Sequence, residues 1–164
     1  MKKRIIPLIL TALCVLTLIT GAVLARQQQA LSDKLVRLHV VANSDSDDDQ
    51  AVKLRVRDAV LDVTQTILQD TDDPVVALGA NLPAIEAAAG EALRETGCAL
   101  PVTVTLQNEL FPRRDYDTFS LPAGVYRTLR VTIGAGEGHN WWCVVFPALC
   151  MSASADELEQ AAET

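Results

Sequence analysis

Residues 5–25 read IIPLILTALCVLTLITGAVLA, 21 positions without a charge, directly after Lys2, Lys3 and Arg4. That run is long for the apolar stretch of a signal peptide and just long enough to cross a bilayer as a helix. Val23–Ala25 puts a small residue where signal peptidase cuts, and the polar RQQQ follows. Residues 1–25 are therefore expected to be a signal peptide cleaved after Ala25, with an uncleaved N-terminal anchor as the alternative. Cys14 does not suit a lipid attachment site, because it follows Leu13 inside the apolar run. With the basic flank held in the cytoplasm, either outcome exports the rest of the chain.

Of the 14 basic residues, Lys2, Lys3 and Arg4 belong to the leader, so the exported part sets 11 against 21 acidic side chains. Such a surface excludes nucleic acid, which needs a basic face for its phosphates. It also disfavours anionic lipid headgroups, leaving membrane association to the N-terminal segment alone.

Residues 26–34 are polar and read as a flexible linker; 35–151 read as one exported domain and 152–164 as an acidic, disordered tail. Within the domain, LVRLHVV (Leu35–Val41) alternates like a strand. ANSDSDDDQ then supplies turn and N-cap types. A helix follows, with Val52, Val56, Ala59, Val60, Val63 and Ile67 on one stripe. Lys53, Arg55, Arg57 and Asp62 fall off that stripe; Leu54, Leu61 and Leu68 form a second one, so the helix is expected to be covered on two sides. Asp73–Pro74 opens a short helix. Another runs from a cap at Asn81, through Ile85, Ala88, Ala89, Ala92 and Leu93, to a stop at Gly97. VTVTL (Val102–Leu106), YRTLRVTI (Tyr126–Ile133) and NWWCVVF (Asn140–Phe146) are strands, the last apolar on both faces. GAGEGHN between the last two reads as a hairpin loop. The expected fold is α+β: an N-terminal strand, two to three helices, then three mainly antiparallel strands, with the helices packed on one face of the sheet.

Several clusters invite chemistry. Asp45, Asp47 and Asp49 occupy the first three ligand positions of an EF-hand loop, but Gln50 and Val56 stand where its glycine and glutamate belong. Acidic residues at a helix N-terminus explain them more simply. GAGEGH lacks the helix that a dinucleotide fingerprint requires. Around Gly136–Cys150, His39, His139, Cys143 and Cys150 are zinc-ligand types at spacings that match no usual site, so no metal and no cofactor are expected. Cys143 as a nucleophile would need a histidine base, yet it sits in an apolar strand that raises a thiol's pKa. A Cys143–Cys150 disulfide suits an exported domain best, with Pro147 turning the chain back between them. No catalytic residue is assigned. The enzyme alternative is a thiol- or metal-dependent hydrolase built on His39, His139 and Cys143; a cell-envelope structural module is a third possibility.

Two long blocks, VRLHVVANSDSDDDQAVKLRVRDAVL (Val36–Leu61) and FPRRDYDTFSLPAGVYRTLRVTIGAGEGHNWWCVVFPALC (Phe111–Cys150), resemble the stage II sporulation protein R family of endospore-forming bacteria. The resemblance implies a signal, not an enzyme. It would be secreted from the forespore into the space between the forespore and mother-cell membranes. There its partner would be a membrane-embedded aspartic protease that matures the sigma-E precursor. A ligand of this kind needs differential affinity for the active state of its receptor and no chemistry of its own. Interface anchors are typically arginine or aromatic. The receptor-binding candidates are Arg113, Arg114, Tyr116 and Phe119, one of Trp141 and Trp142, and then the turn at Asn43, Ser44 and Asp45.

Overall fold

The computed structural model describes residues 2–116 and 119–149. It opens with helix α1 (Lys2–Ser32), within which Leu10–Ala30 is long and apolar enough to cross a membrane, at a mean hydropathy of 1.6. Strand β1 (Val36–Val41) follows, then helices α2 (Asp47–Leu68), α3 (Pro74–Ala80) and α4 (Leu82–Glu95). Strand β2 (Val102–Phe111) leads to a short hairpin of β3 (Arg114–Asp115) and β4 (Ser120–Leu121), and then to β5 (Gly124–Ile133) and β6 (Asn140–Phe146). The chain is α+β, as its patterning predicts.

Residues 26–32 are not the expected flexible tether. They continue α1 as helix, and its C-terminal end docks on the domain: Gln28 Nε2 donates to the Ala123 carbonyl, and Ser32 is buried. Cleavage after Ala25 would leave this docked turn with the domain. The acidic tail and Cys150 lie outside the described residues.

The sheet order is β2-β5-β1-β6. β1 runs parallel to β5 and antiparallel to β6, and β2 is antiparallel to β5. GAGEGHN is therefore not a hairpin loop between paired neighbours. It crosses the end of β1, which is inserted between β5 and β6. The reason lies in what the loop binds: Gly138 N donates to Ala42 O and Glu137 N to Asn43 O, both just past β1. A central strand covered on both faces must be buried throughout, and all six residues of β1 are.

Alternation then divides the side chains between two layers. Val36, Leu38 and Val40 of β1 join Leu129, Val131 and Ile133 of β5 and Trp141, Cys143 and Val145 of β6 in one core. Helices α2–α4 cover it with Val56, Val60, Leu78, Ile85, Ala89 and Leu93. Leu54, Leu61 and Leu68 pack against the same core, so the second stripe of α2 is covered as expected. Lys53 and Arg57 depart from the stripe reading: both are buried. Their stems cover apolar surface while the heads find partners, Lys53 Nζ on Gln50 and Arg57 over the Trp141 ring at 4.2 Å.

Local caps follow the sequence closely. Asp73 accepts from the backbone N–H groups of Val75 and Val76 at the start of α3. Asn81 does not cap α4 with its side chain; its Nδ2 donates back to Ala77 O at 2.8 Å and ties α4 to α3. Gly97 ends α4 at φ +77°.

Candidate polar-aromatic face

The second face of the sheet carries no helix of the α2–α4 layer. Alternation places Arg37 and His39 of β1 there, with Glu109 and Phe111 of β2, Tyr126, Thr128 and Arg130 of β5, and Asn140 and Trp142 of β6. A sequence reader takes such polar positions for a solvated face. Instead the β3–β4 hairpin folds over part of it, and Arg37, His39, Phe111, Tyr126 and Thr128 are all buried.

Two networks share this face. In the first, His39 lies between Glu109 and Asn140, with Nδ1 2.7 Å from Glu109 Oε2 and Nε2 2.7 Å from Asn140 Oδ1. The other Glu109 oxygen accepts from Arg130 Nη1 at 3.0 Å and from Gln107 Nε2 at 2.7 Å. Burial pushes the Glu109 carboxyl up, but these hydrogen bonds outweigh it and the net displacement is below the ordinary glutamate value. The ionised carboxylate offers only acceptors, so His39 Nδ1 donates to it.

The second network is an arginine-aromatic stack. The Arg37 guanidinium lies 3.9 Å from the centroid of Phe111 and 5.2 Å from that of Tyr126. Its Nη2 donates to Tyr116 Oη at 2.7 Å. Phe111 meets Tyr126 edge-on at 5.9 Å and Trp142 at 5.9 Å, and Trp142 lies 5.7 Å from the His39 ring. Arg114 stacks on Trp142 at 4.1 Å, and Tyr116 stacks on Phe119 at 4.6 Å.

The sequence-stated candidates fall into three groups. Arg114, Tyr116, Phe119 and Trp142 come together on this face. Arg113 is exposed beside them and pairs with Asp115 at 2.9 Å. The two tryptophans separate as strand neighbours must: Trp141 is core beneath α2, and Trp142 belongs to the polar-aromatic face.

Asn43, Ser44 and Asp45 lie elsewhere, and their polar atoms are engaged within the domain. Asn43 Nδ2 and Ser44 Oγ donate to Asp49, while Asn43 Oδ1 accepts from Ala135 N at 2.9 Å. Asp45 Oδ1 accepts from both the backbone N and the Nδ1 of His139, each at 2.6 Å. The donors from Ser44 and Asn43 hold the Asp49 carboxyl below the usual carboxylate range. Two glycines let the strands approach: a Cβ at Gly134 (φ +56°) would lie 2.2 Å from Asn43 Oδ1, and one at Gly138 2.2 Å from Ser44 O. The turn and the glycine loop are thus two halves of a latch, and Ser46 caps α2 through Asp49 N.

The residues of the hydrolase alternative do not converge. Cys143 pairs in register with Leu38 and shares its face; His39 points to the opposite one, and exposed His139 is held by Asp45. Cys143 is disulfide-bonded, whereas Cys14 and Cys98 are free. Among the described residues no three histidine, cysteine or carboxylate side chains cluster as a metal site. Sequence reasoning missed Arg37, Glu109, Phe111, Tyr126, Arg130 and Asn140. The available signal was that Arg37 and His39 share one face of a strand otherwise made only of valine and leucine.

A family profile described as Stage II sporulation protein R matches residues 32–156. A protein of Bacillus subtilis (strain 168) bearing the name Stage II sporulation protein R is 35% identical, over 92% of this chain and 71% of the relative. No solved structure matches.

Proposed function

Because the chain belongs to the stage II sporulation protein R family, we propose that it is an exported signal of sporulation that acts by binding and not by catalysis. Made in the forespore and delivered to the space between the two membranes, it shifts a membrane-embedded aspartic protease of the mother cell toward its active state. That protease then removes the pro-sequence of the sigma-E precursor.

The observation that carries this reading is the composition of the helix-free face. Arg114, Tyr116, Phe119 and Trp142 gather there around a short hairpin, and arginine and aromatic anchors are what protein interfaces rely on. The apolar helix at the N-terminus supports delivery across a membrane. The separation of His39, His139 and Cys143 supports binding over a thiol mechanism, since nucleophile and base must lie within hydrogen-bond reach.

In this reading Cys143 pairs with Cys150, and in the exported compartment a disulfide contributes roughly 2–4 kcal/mol. Replacing both cysteines with serine should lower stability by that amount and reduce signalling only as abundance falls. Complete loss of signalling at unchanged stability would favour the hydrolase. The test of the function itself is co-expression with the receptor protease and the sigma-E precursor in a non-sporulating host. Cleavage of the precursor that depends on this chain is expected; an intact precursor beside abundant chain contradicts the reading.

A further inference from the structure

Arg37 is the side chain on the helix-free face whose burial is least repaid. It is fully buried in the central strand, yet among the described residues its guanidinium, with five N–H donors, makes a single hydrogen bond, to the Tyr116 phenol. Among the described residues its Nε and Nη1 find no hydrogen-bond partner, and no carboxylate forms an ion pair with it. Other arginines differ: Arg57 has Asp58, Arg113 has Asp115 and Arg130 has Glu109. Desolvation lowers the Arg37 pKa and the two tyrosines only partly offset it, while the neighbouring Arg114 adds a smaller repulsion. The stack on Phe111 and Tyr126 is attractive but supplies no counter-charge. A desolvated ion without a counter-charge is costly, and an apolar side chain of similar length is often as stable or more so.

We propose that Arg37 is the receiving group for a carboxylate of the protein's partner, which displaces the Tyr116 phenol and takes a bidentate seat on the guanidinium. The inference rests on the signalling reading and adds the chemical class that the face recognises. A planar fork lying flat on an aromatic bed suits a carboxylate in both shape and charge. Tyr116 holds the place in the unbound protein: its hydroxyl is an adequate acceptor for one N–H but carries no charge to neutralise the cation. Its own burial raises its pKa, so it stays neutral at physiological pH.

The test compares the full-length wild type with Arg37→Met and Arg37→Lys. Arg37→Met should fold with an unchanged or higher Tm and lower precursor cleavage by roughly tenfold or more, with Arg37→Lys intermediate. Receptor-free thermal unfolding is run in acetate and in chloride at matched ionic strength. Acetate should raise the Tm of the wild type above its value in chloride, and this difference should vanish in Arg37→Met. Normal cleavage by Arg37→Met, or an acetate effect absent from the wild type or equal in both proteins, overturns the proposal. So does loss of folded protein in both variants, which would make the guanidinium a structural brace. If the wild type itself triggers no cleavage, the signalling reading fails, and the acetate comparison still decides whether Arg37 receives carboxylates.

Discussion

At the scale of single residues, the helix-free face is governed by how its charges are satisfied. Glu109 is held ionised by His39, Arg130 and Gln107 against the cost of its burial. A carboxyl whose folded pKa is depressed adds stability that is present above its unfolded value, 4.5 for glutamate, and is lost as pH falls through the lower folded value. Stability should therefore fall in that acid window, and Glu109→Gln should flatten this part of the profile. Near neutral pH the same substitution should cost about 2 kcal/mol, since it removes charge-assisted hydrogen bonds. Urea unfolding across pH measures both. The two tryptophans make a second comparison: Trp141→Ala should cost roughly 3–5 kcal/mol as a core deletion, and Trp142→Ala about 1–2 kcal/mol on its half-exposed face. Their separation was legible from strand alternation alone. The burial of Arg37 was not, because a polar strand position reads as solvent-facing until something covers it, and that cover is a hairpin of two residue pairs with no periodicity to announce it.

At the scale of elements, the helices were the most readable part. Asp73–Pro74, Gly97 and the two stripes of α2 each fall where capping chemistry and helical spacing place them. The connection GAGEGHN departs from the expected hairpin because glycine content signals a tight turn without saying which strands it joins. Its partner, ANSDS, lies some 90 positions earlier in the chain, and no local rule links the two. The latch predicts its own test: alanine at Gly134 must adopt positive φ and push Asn43 aside, and alanine at Gly138 meets the Ser44 backbone. Each should cost about 1–3 kcal/mol, with the loss seen in equilibrium unfolding. A substitution at exposed Gly97, which has φ +77° but open space around its Cβ, should cost about 1 kcal/mol.

At the scale of the whole molecule, one sheet separates two kinds of chemistry. The helix-covered side is aliphatic and supplies the bulk of the core; the other collects arginine, histidine, glutamate and aromatic rings beneath a small cover. The end of the N-terminal helix docks beside that cover, at Ala123. This division explains why Trp141, Trp142 and Cys143 do not converge on one site: successive residues of one strand serve opposite layers. The signalling surface we propose is the face opposite α2–α4. The most direct measurement is sigma-E precursor cleavage in the co-expression host, with the chain carrying Arg113→Ala, Phe119→Ala or Trp142→Ala on that face, or Val76→Ala on exposed α3 as control. The face variants, at normal abundance, should lose most of the cleavage while Val76→Ala retains it. Full cleavage by all four would contradict the assignment of the signalling surface.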